Sequence, residues 1–262
     1  MLKRSHIIRR LCATFAAMSF ALLGFAINAS AAHADTNCFA QSDQLPSGHC
    51  YAIRTYKNKD MIGAEATIRR DWISVNPSVA GTSPTTNEPS HVNSEFWFGL
   101  ANDAYIEAGS MAINSTDIQH FWADTTAPTA GANQKLHYIG AIPIDNTTVD
   151  YWQILRSSAT NSWDIKVNYW PQTPYAVGTS TVTGSWNGAF IDMGGEIASN
   201  SCGGSAVWAQ PAHMNASVWT WDSVKQTKGL WPVPWSTDGT QTLGCASTLS
   251  SSSAGDVSWS VN

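Results

Sequence analysis

Residues 95–111 of the chain read EFWFGLANDAYIEAGSM, and this stretch decides the fold class. Two apolar runs rich in aromatic residues, 95–100 and 105–111, flank a short turn that contains Asn102 and Asp103. Aromatic residues favour strands, and asparagine and aspartate tolerate the backbone geometry of tight turns between antiparallel strands. The stretch therefore predicts a β-hairpin.

Strand-like segments continue on both sides of this hairpin, and turns rich in Asn, Gly, Pro and Ser separate them. They are expected at 61–75, 118–123, 136–142, 149–156, 163–169, 179–184, 188–198, 205–209, 217–222 and 256–261, and the serine run 249–253 is expected to be a flexible connection. No long stretch shows the 3.6-residue period of an amphipathic helix. The succession of short strands predicts an all-β fold, an antiparallel, jelly-roll-like β-sandwich of two sheets with an open groove.

The first residues of the chain have the three parts of an export signal. Lys3, Arg4, Arg9 and Arg10 precede an apolar run, which ends in small residues up to Ala34. This order is typical of a cleaved secretory signal peptide. We expect residues 1–34 to be that signal, residues 35–60 to be a short turn-rich segment, and residues 61–262 to be one β-sandwich domain of a secreted protein.

The charge of the chain bears on its partners. Removing residues 1–34 takes away four of the 14 Lys and Arg residues and none of the 19 Asp and Glu residues, so the mature chain carries a formal charge of about −9. Nucleic-acid binding needs a basic surface, and none is visible in the sequence. Later segments lack the long apolar run of a membrane span. We expect a monomer that binds neither nucleic acid nor membranes.

Four cysteines remain after the signal, which in an exported chain predicts two disulfides. They are Cys38, Cys50, Cys202 and Cys245. Three pairings are possible, and we favour Cys38–Cys50 with Cys202–Cys245 because each pair brackets one loop-rich segment. The chain contains no CxxC, no HExxH and no glycine-rich phosphate loop before a helix, so neither a metal nor a cofactor is expected.

Two glutamates occupy settings that are unusual for a carboxylate. Strand alternation around Glu196 places Ile191 and Met193 on the core-facing side and Glu196 on the opposite side, and alternation places Glu107 likewise. Carboxylates among aromatic and small neighbours can share a proton, one acting as base and the other as acid. We therefore predict Glu107 and Glu196 as catalytic, with Gly109, Gly194 and Gly195 leaving room for a substrate backbone; solvated glutamates on an exposed strand face are the alternative.

The order of motifs over residues 61–200 resembles the neprosin family of glutamic peptidases. The motifs are Gly63-Ala64-x-Ala66-Thr67-Ile68, Ser94-x-Phe96-Trp97, Ile106-Glu107-Ala108-Gly109, Phe121-Trp122, Asn168-Tyr169-Trp170-Pro171 and Met193-Gly194-Gly195-Glu196-Ile197. The resemblance implies a β-sandwich whose groove holds Glu107 and Glu196 as the catalytic pair. It also implies an acid endopeptidase that cleaves after proline, with a protein or proline-rich peptide as substrate.

Other side chains are candidates for lining the groove of such an enzyme. They are Tyr105, Asn168, Tyr169, Trp170 and Asp192. Two other functions would use the same sheet. A non-catalytic module that binds glycans or cell wall would leave the glutamates silent, and a jelly-roll glycoside hydrolase would use two carboxylates on a sugar.

Overall fold

Antiparallel strands make up almost all of the structure, a computed structural model that describes residues 50–82, 89–100, 104–116, 118–125, 135–157, 162–182, 188–201, 206–222, 227–233, 240–242, 247–251 and 255–261. Fifteen strands and one short helix, α1, lie within these ranges. The predicted all-β, antiparallel β-sandwich is confirmed. The expected signal peptide lies outside the described residues.

The elements follow one another in this order: β1 Cys50–Arg69, β2 Ile73–Val75, α1 Pro77–Ala80, β3 His91–Leu100, β4 Tyr105–Ala112, β5 Ile118–Thr125, β6 Lys135–Ala141, β7 Val149–Arg156, β8 Trp163–Tyr169, β9 Tyr175–Ser180, β10 Gly188–Ala198, β11 Val207–Asp222, β12 Thr227–Pro232, β13 Thr240–Thr242, β14 Ser247–Ser251 and β15 Asp256–Val261. The predicted hairpin of residues 95–111 is the β3–β4 pair, in which Trp97 lies opposite Glu107.

Strand β1 belongs to both layers of the sandwich. Its first half pairs with β10, which continues through β3, β4 and β5 to the edge strand β6; we call this the front layer. Its second half pairs with β7 and β11, and with β8, β9, β14 and β15 these form the back layer. The register shifts between Lys57 and Met61, where β1 leaves β10. Such irregularities bend a strand and increase its twist, which allows one strand to serve two layers.

The turn-rich segment expected to reach residue 60 is therefore wrong for residues 50–60, which form the first half of β1. Lys57, Asn58 and Asp60 have the composition of a turn, but they lie at or beside the irregularity rather than at the end of the strand. Backbone pairing with β10 holds this part of the chain extended. The polar composition reflects the bend and not a loop.

The hydrophobic core lies between the two layers. Phe98 of β3 packs against Trp163 of β8 with ring centroids 4.9 Å apart. Ile191, Met193 and Ile197 of β10 are fully buried on the inner face, as strand alternation predicts. The opposite face of β10, with Asp192 and Glu196, points away from this core.

Two further differences from the predicted strands concern the back layer. Residues 207–222 form the single strand β11 where two strands were expected, and its successive parts pair with β2, β15, β1 and β12. Ser247–Ser251 forms β14 against β15, although the serine run was expected to be a flexible connection. Ladder hydrogen bonds come from the backbone, so pairing overrides a weak side-chain preference.

Cys50 is buried at the first residue of β1. Cys38, Cys202 and Cys245 lie outside the described residues, so the disulfide pairs stay predictions. Among the described residues, no helix is long and apolar enough to cross a membrane.

Candidate active site

Three adjacent strands of the front layer carry one glutamate each on the same outer face. Glu95 lies on the middle strand β3, directly opposite Gly109 of β4 and Gly194 of β10. Glu107 lies opposite Trp97, two residues further along β3, and Glu196 lies opposite Asn93, two residues in the other direction. Directly opposed residues share a face of the sheet. Glu95, Glu107 and Glu196 therefore form one group, which we call the carboxyl cluster.

Register places Glu95 between the two predicted catalytic residues. Glu107 and Glu196 are each diagonal neighbours of Glu95, about 7–8 Å away between Cα atoms, which glutamate side chains can bridge. Glu107 and Glu196 lie on strands that do not pair with each other, about 15 Å apart by the same geometry. The expected pair is thus part of a group of three, with Glu95 in its centre.

All three carboxyl groups are buried. The exposed fractions are 0% for Glu95, 3% for Glu107 and 6% for Glu196. Nε1 of Trp97 donates a hydrogen bond to Oε2 of Glu107 at 2.8 Å. Nδ2 of Asn93 donates to Oε2 of Glu196 at 2.9 Å. Both donors come from β3, on either side of Glu95, and they orient the two flanking carboxyl groups.

Glu95 has no comparable support. Neither of its carboxyl oxygens has a hydrogen-bond donor among the described residues. Burial raises the pKa of Glu95 well above its usual value, and the negative charges of Glu107 and Glu196 raise this pKa further. The neighbouring Glu196 side chain also raises the pKa of Glu95, and the Asn93 side chain lowers it. Glu95 therefore holds its proton to a higher pH than an exposed glutamate does.

A second buried glutamate, Glu65, has the hydrogen-bond donors that a buried carboxylate normally has. Glu65 of the back layer accepts hydrogen bonds from Tyr151, from Nε2 of Gln153 at 2.6 Å and from Nε1 of Trp219 at 2.8 Å. Buried carboxylates in proteins are normally satisfied in this way. Glu95, equally buried but without a donor, departs from that rule, and such departures concentrate at functional sites.

Two of the predicted groove residues lie beside the cluster. Tyr105 faces the same side as Glu107, and burial, followed by the charges of Glu107, Glu196 and Glu95, raises its pKa. Asp192 lies opposite Trp97. Burial raises the pKa of Asp192 to about 6, against the opposing effects of a hydrogen bond from Thr55 and the charge of Lys57.

The other three predicted groove residues lie elsewhere. Asn168 and Tyr169 end strand β8 of the back layer, and Trp170 follows in the next turn. The side chain of Asn168 holds this turn, because Nδ2 donates to the carbonyl of Thr173 at 2.8 Å and Oδ1 accepts from the backbone N–H of Tyr169 at 2.9 Å. Strand β8 pairs only with β7 and β9 among the described strands, so these residues do not join the carboxyl cluster.

The space beside the glycines near the glutamates is occupied by other atoms of the protein, not left open for a substrate. A Cβ atom on Gly109 would lie 2.6 Å from Cβ of Glu95, which occupies the space expected for a substrate backbone. Gly195 faces the ring of Trp259 inside the core, and Gly194 has a positive φ of 151°. A Cβ atom on Gly194 would clash with the backbone carbonyl of Ala52, so the prediction of space for a substrate is wrong for all three glycines. The absent side chains of Gly109 and Gly195 let Glu95 and Trp259 pack against the sheet.

The sequence does not identify Glu95, Asn93 and Trp97 as site residues, although Trp97 belongs to one of the motifs that carry the family resemblance. The signal that would have found them is the alternation within HVNSEFW, residues 91–97, which places all three on one face of β3. What alternation does not show is that β3 lies between β4 and β10, because that neighbourhood depends on pairing between segments far apart in the chain. The described residues hold no group of three His, Cys, Asp or Glu side chains arranged to bind a metal ion.

No protein-family model matches the chain, and no curated protein matches it either. Among solved structures, an alginate lyase from Klebsiella pneumoniae is similar at a TM-score of 0.36 and 9% identity over 68% of this chain and 59% of the lyase. An endo-1,3-beta-glucanase from Streptomyces sioyaensis is similar at a TM-score of 0.34 and 8% identity over 79% of this chain and 69% of the glucanase. The chain thus spans less than two thirds of the lyase. At TM-scores this low, neither likeness indicates an activity for this chain.

Proposed function

We propose that the chain is a secreted acid hydrolase whose catalytic groups are the carboxyl cluster, and that its substrate is a polypeptide. The observation that supports the proposal is a group of three buried carboxyl groups on one face of the sheet, in which Glu95 has no hydrogen-bond donor among the described residues and a raised pKa, while Trp97 and Asn93 donate to Glu107 and Glu196. A hydrolase needs an acid and a base within one site, and unequal environments for neighbouring carboxyl groups supply both.

The hydrogen bonds suggest which group takes which part. Glu107 is fixed by Trp97 and, when ionised, serves as the base that takes a proton from water as the water oxygen attacks the scissile carbonyl carbon. Glu196, when protonated, stabilises the developing oxyanion and then protonates the leaving amine as the C–N bond breaks. Glu95 is buried beside Glu196 with a raised pKa, so it stays protonated next to the acid and acts as a positioning residue for it.

The choice of a polypeptide rests on the motif order described above. The Glu107-Ala108-Gly109 and Gly194-Gly195-Glu196 segments resemble those of the neprosin family, and in this chain they lie on the two strands that flank Glu95. Cleavage after proline at acid pH is carried over from that resemblance. A pair of carboxyl groups that is half protonated works best below neutral pH, which agrees with an acid optimum.

A glycoside hydrolase is the second candidate, because two carboxyl groups that do not touch can admit a water molecule between them. Glu107 and Glu196 lie on opposite sides of β3 and four residues apart along it, so their carboxyl groups are not in direct contact by register. Inverting glycosidases keep their two carboxyl groups about 6.5–9.5 Å apart to admit a water. The remaining alternative is a non-catalytic module, which would bind a glycan without cleaving it and would not use the glutamates in catalysis.

The test is to incubate the mature protein between pH 3 and pH 5 with a proline-rich protein and, separately, with soluble β-glucans and alginate. Glu107→Gln and Glu196→Gln should each abolish peptide cleavage, while Asp164→Asn, a partly buried carboxyl on the back layer, should leave the rate unchanged. Peptide cleavage that persists in both Glu107→Gln and Glu196→Gln would contradict the carboxyl mechanism. Turnover of a polysaccharide but of no protein would replace the peptidase by a glycosidase.

A further inference from the structure

A cavity of about 360 Å³ lies on the side of the sandwich, away from the carboxyl cluster. Its walls come from both layers, with Ile139 and Ile142 on and after the front-layer edge strand β6 and Tyr169 and Tyr175 on β8 and β9 of the back layer. The volume is within the range of about 300–1,000 Å³ that is usual for small-molecule sites.

Two nitrogen-bearing side chains among the lining residues are held by one buried carboxylate. Arg70 binds Asp150 through Nε, at 3.1 and 3.0 Å from the two carboxylate oxygens, and through Nη2 at 2.7 Å. Nε2 of His120 lies 2.7 Å from Oδ2 of Asp150. Asp150 is almost fully buried, and Trp152 packs edge-on against the ring of His120. The three side chains form a rigid, preorganised unit.

Part of this unit's hydrogen-bonding capacity is unused. Nη1 of Arg70 and Nδ1 of His120 have no hydrogen-bond partner among the described residues, and both side chains line the cavity. The bond to Asp150 uses Nε2 of His120, which leaves Nδ1 as the ring nitrogen for a ligand. The cavity therefore offers a donor from Arg70 and a ring nitrogen from His120, while the charges of Arg70 and Asp150 cancel.

The rim of the cavity is aromatic and open to solvent. Tyr169 is 54% exposed and Tyr175 is 57% exposed. Tyr175 lies opposite Val167 on the paired strands β8 and β9, so it is a diagonal neighbour of Tyr169 on the same face. Aromatic rings with an apolar face and a hydroxyl tip favour partners that are apolar on one side and polar at the edge.

We propose that this cavity binds an uncharged sugar ring. The C–H face of a pyranose stacks on the tyrosine rings, and its edge hydroxyl groups both donate and accept, which satisfies His120 and Arg70 together. A proline ring would stack equally well on the tyrosines, but it carries no hydroxyl group to accept from Nη1 of Arg70 and to meet Nδ1 of His120. The site is independent of the carboxyl cluster, and it would attach the protein to a glycan whatever bond the cluster hydrolyses.

Gly140 gives a direct way to close the cavity. It lines the site, and a Cβ atom built on it meets no atom within 4 Å, so a large side chain at this position enters open space. Gly140→Trp should therefore fill the cavity without disturbing the fold. Tyr175→Ala removes one stacking face, and Tyr138→Ala is its matched control, because Tyr138 is also 57% exposed but lines no part of the cavity.

The experiment is isothermal titration calorimetry of the mature protein with cellotriose, laminaritriose, mannotriose and chitotriose, and with an oligoproline peptide as the competing class. At least one trisaccharide should bind at millimolar concentration or tighter. Tyr175→Ala should weaken it at least tenfold, Gly140→Trp should abolish it, and Tyr138→Ala and Glu196→Gln should leave it within twofold. Circular dichroism checks that each variant is folded.

Three outcomes overturn the proposal. They are no binding of any trisaccharide, trisaccharide binding that both Tyr175→Ala and Gly140→Trp leave intact, and binding of oligoproline alone that Gly140→Trp abolishes. Failure here leaves the proposed hydrolase untouched, because the Glu107→Gln and Glu196→Gln assays do not depend on this cavity.

Discussion

Glu95 is buried at the centre of the carboxyl cluster, and both neighbouring strands place a glycine beside it. The folded protein keeps a proton on this group that the unfolded chain releases as the pH rises above about 4.3. Its stability contribution is therefore present at acid pH and is lost as the pH rises. Burial without donors stabilises the neutral form of the group and makes the ionised form costly.

Glu95→Gln keeps the shape of the side chain and removes its proton equilibrium. We expect hydrolysis at pH 4 to fall by about 10²–10⁴-fold, the size of a general-acid contribution, because Glu95 positions the acid Glu196. The thermal midpoint at pH 7 should rise, because the variant has no carboxyl to ionise. Unchanged rates together with a raised midpoint would show that Glu95 is a structural acid without a part in the reaction.

Asp192 gives a second residue-scale prediction, on the pH dependence of stability. Its pKa rises from 3.8 to about 6 on folding, so its ionisation opposes folding as the pH rises from about 4 to about 6. Asp192→Asn should raise the unfolding free energy at pH 7 by about 1–3 kcal/mol and change it little at pH 3.5. Urea denaturation at both pH values measures the difference, and parallel curves for the two proteins would contradict the prediction.

Strands β3 and β4 pack closely at Gly109, where there is no space for a side chain. Gly109→Ala places a methyl group against Cβ of Glu95 and the backbone of Ser94, so the strands must separate or Glu95 must move. We expect a loss of about 1–3 kcal/mol of stability, as is typical of overpacking, together with a loss of activity. Gly140→Ala on β6 is the matched control, since its methyl meets nothing, and its stability should change by less than about 0.5 kcal/mol. Equal effects of the two substitutions would refute the steric account.

At the scale of the whole molecule, Asp150 ties the two layers together. It lies on β7 of the back layer, binds His120 of the front-layer strand β5, and pairs with Arg70 directly after β1. Asp150→Ala leaves the Arg70 charge unpaired in a nearly buried place and should cost about 3–5 kcal/mol. Asp164→Ala, partly buried on the adjacent strand β8, should cost less than about 1 kcal/mol in the same denaturant titration. A similar loss for both would mean that the ion pair does not stabilise the contact between layers.

The sequence by itself determined the fold class, most strand positions and the face on which Glu107 and Glu196 lie. Alternation of side chains along a strand is a local property, so a short segment is enough to assign an inner and an outer face. The Glu107-Ala108-Gly109 and Gly194-Gly195-Glu196 segments were recognisable for the same reason. Residues 50–60 were misread because their polar composition is that of a turn, while their conformation comes from pairing with β10.

Only the tertiary structure decided which strands are neighbours. It placed Glu95 between Glu107 and Glu196, and it placed Asn168, Tyr169 and Trp170 on the other layer, where two of them line a separate cavity. Strand order depends on pairing between segments that are far apart in the chain, and the period of two along each strand is the same for every order. A short segment of sequence therefore decides which of its side chains face the core and which face outward. Which side chains from several strands form one site is decided only when the strands pair.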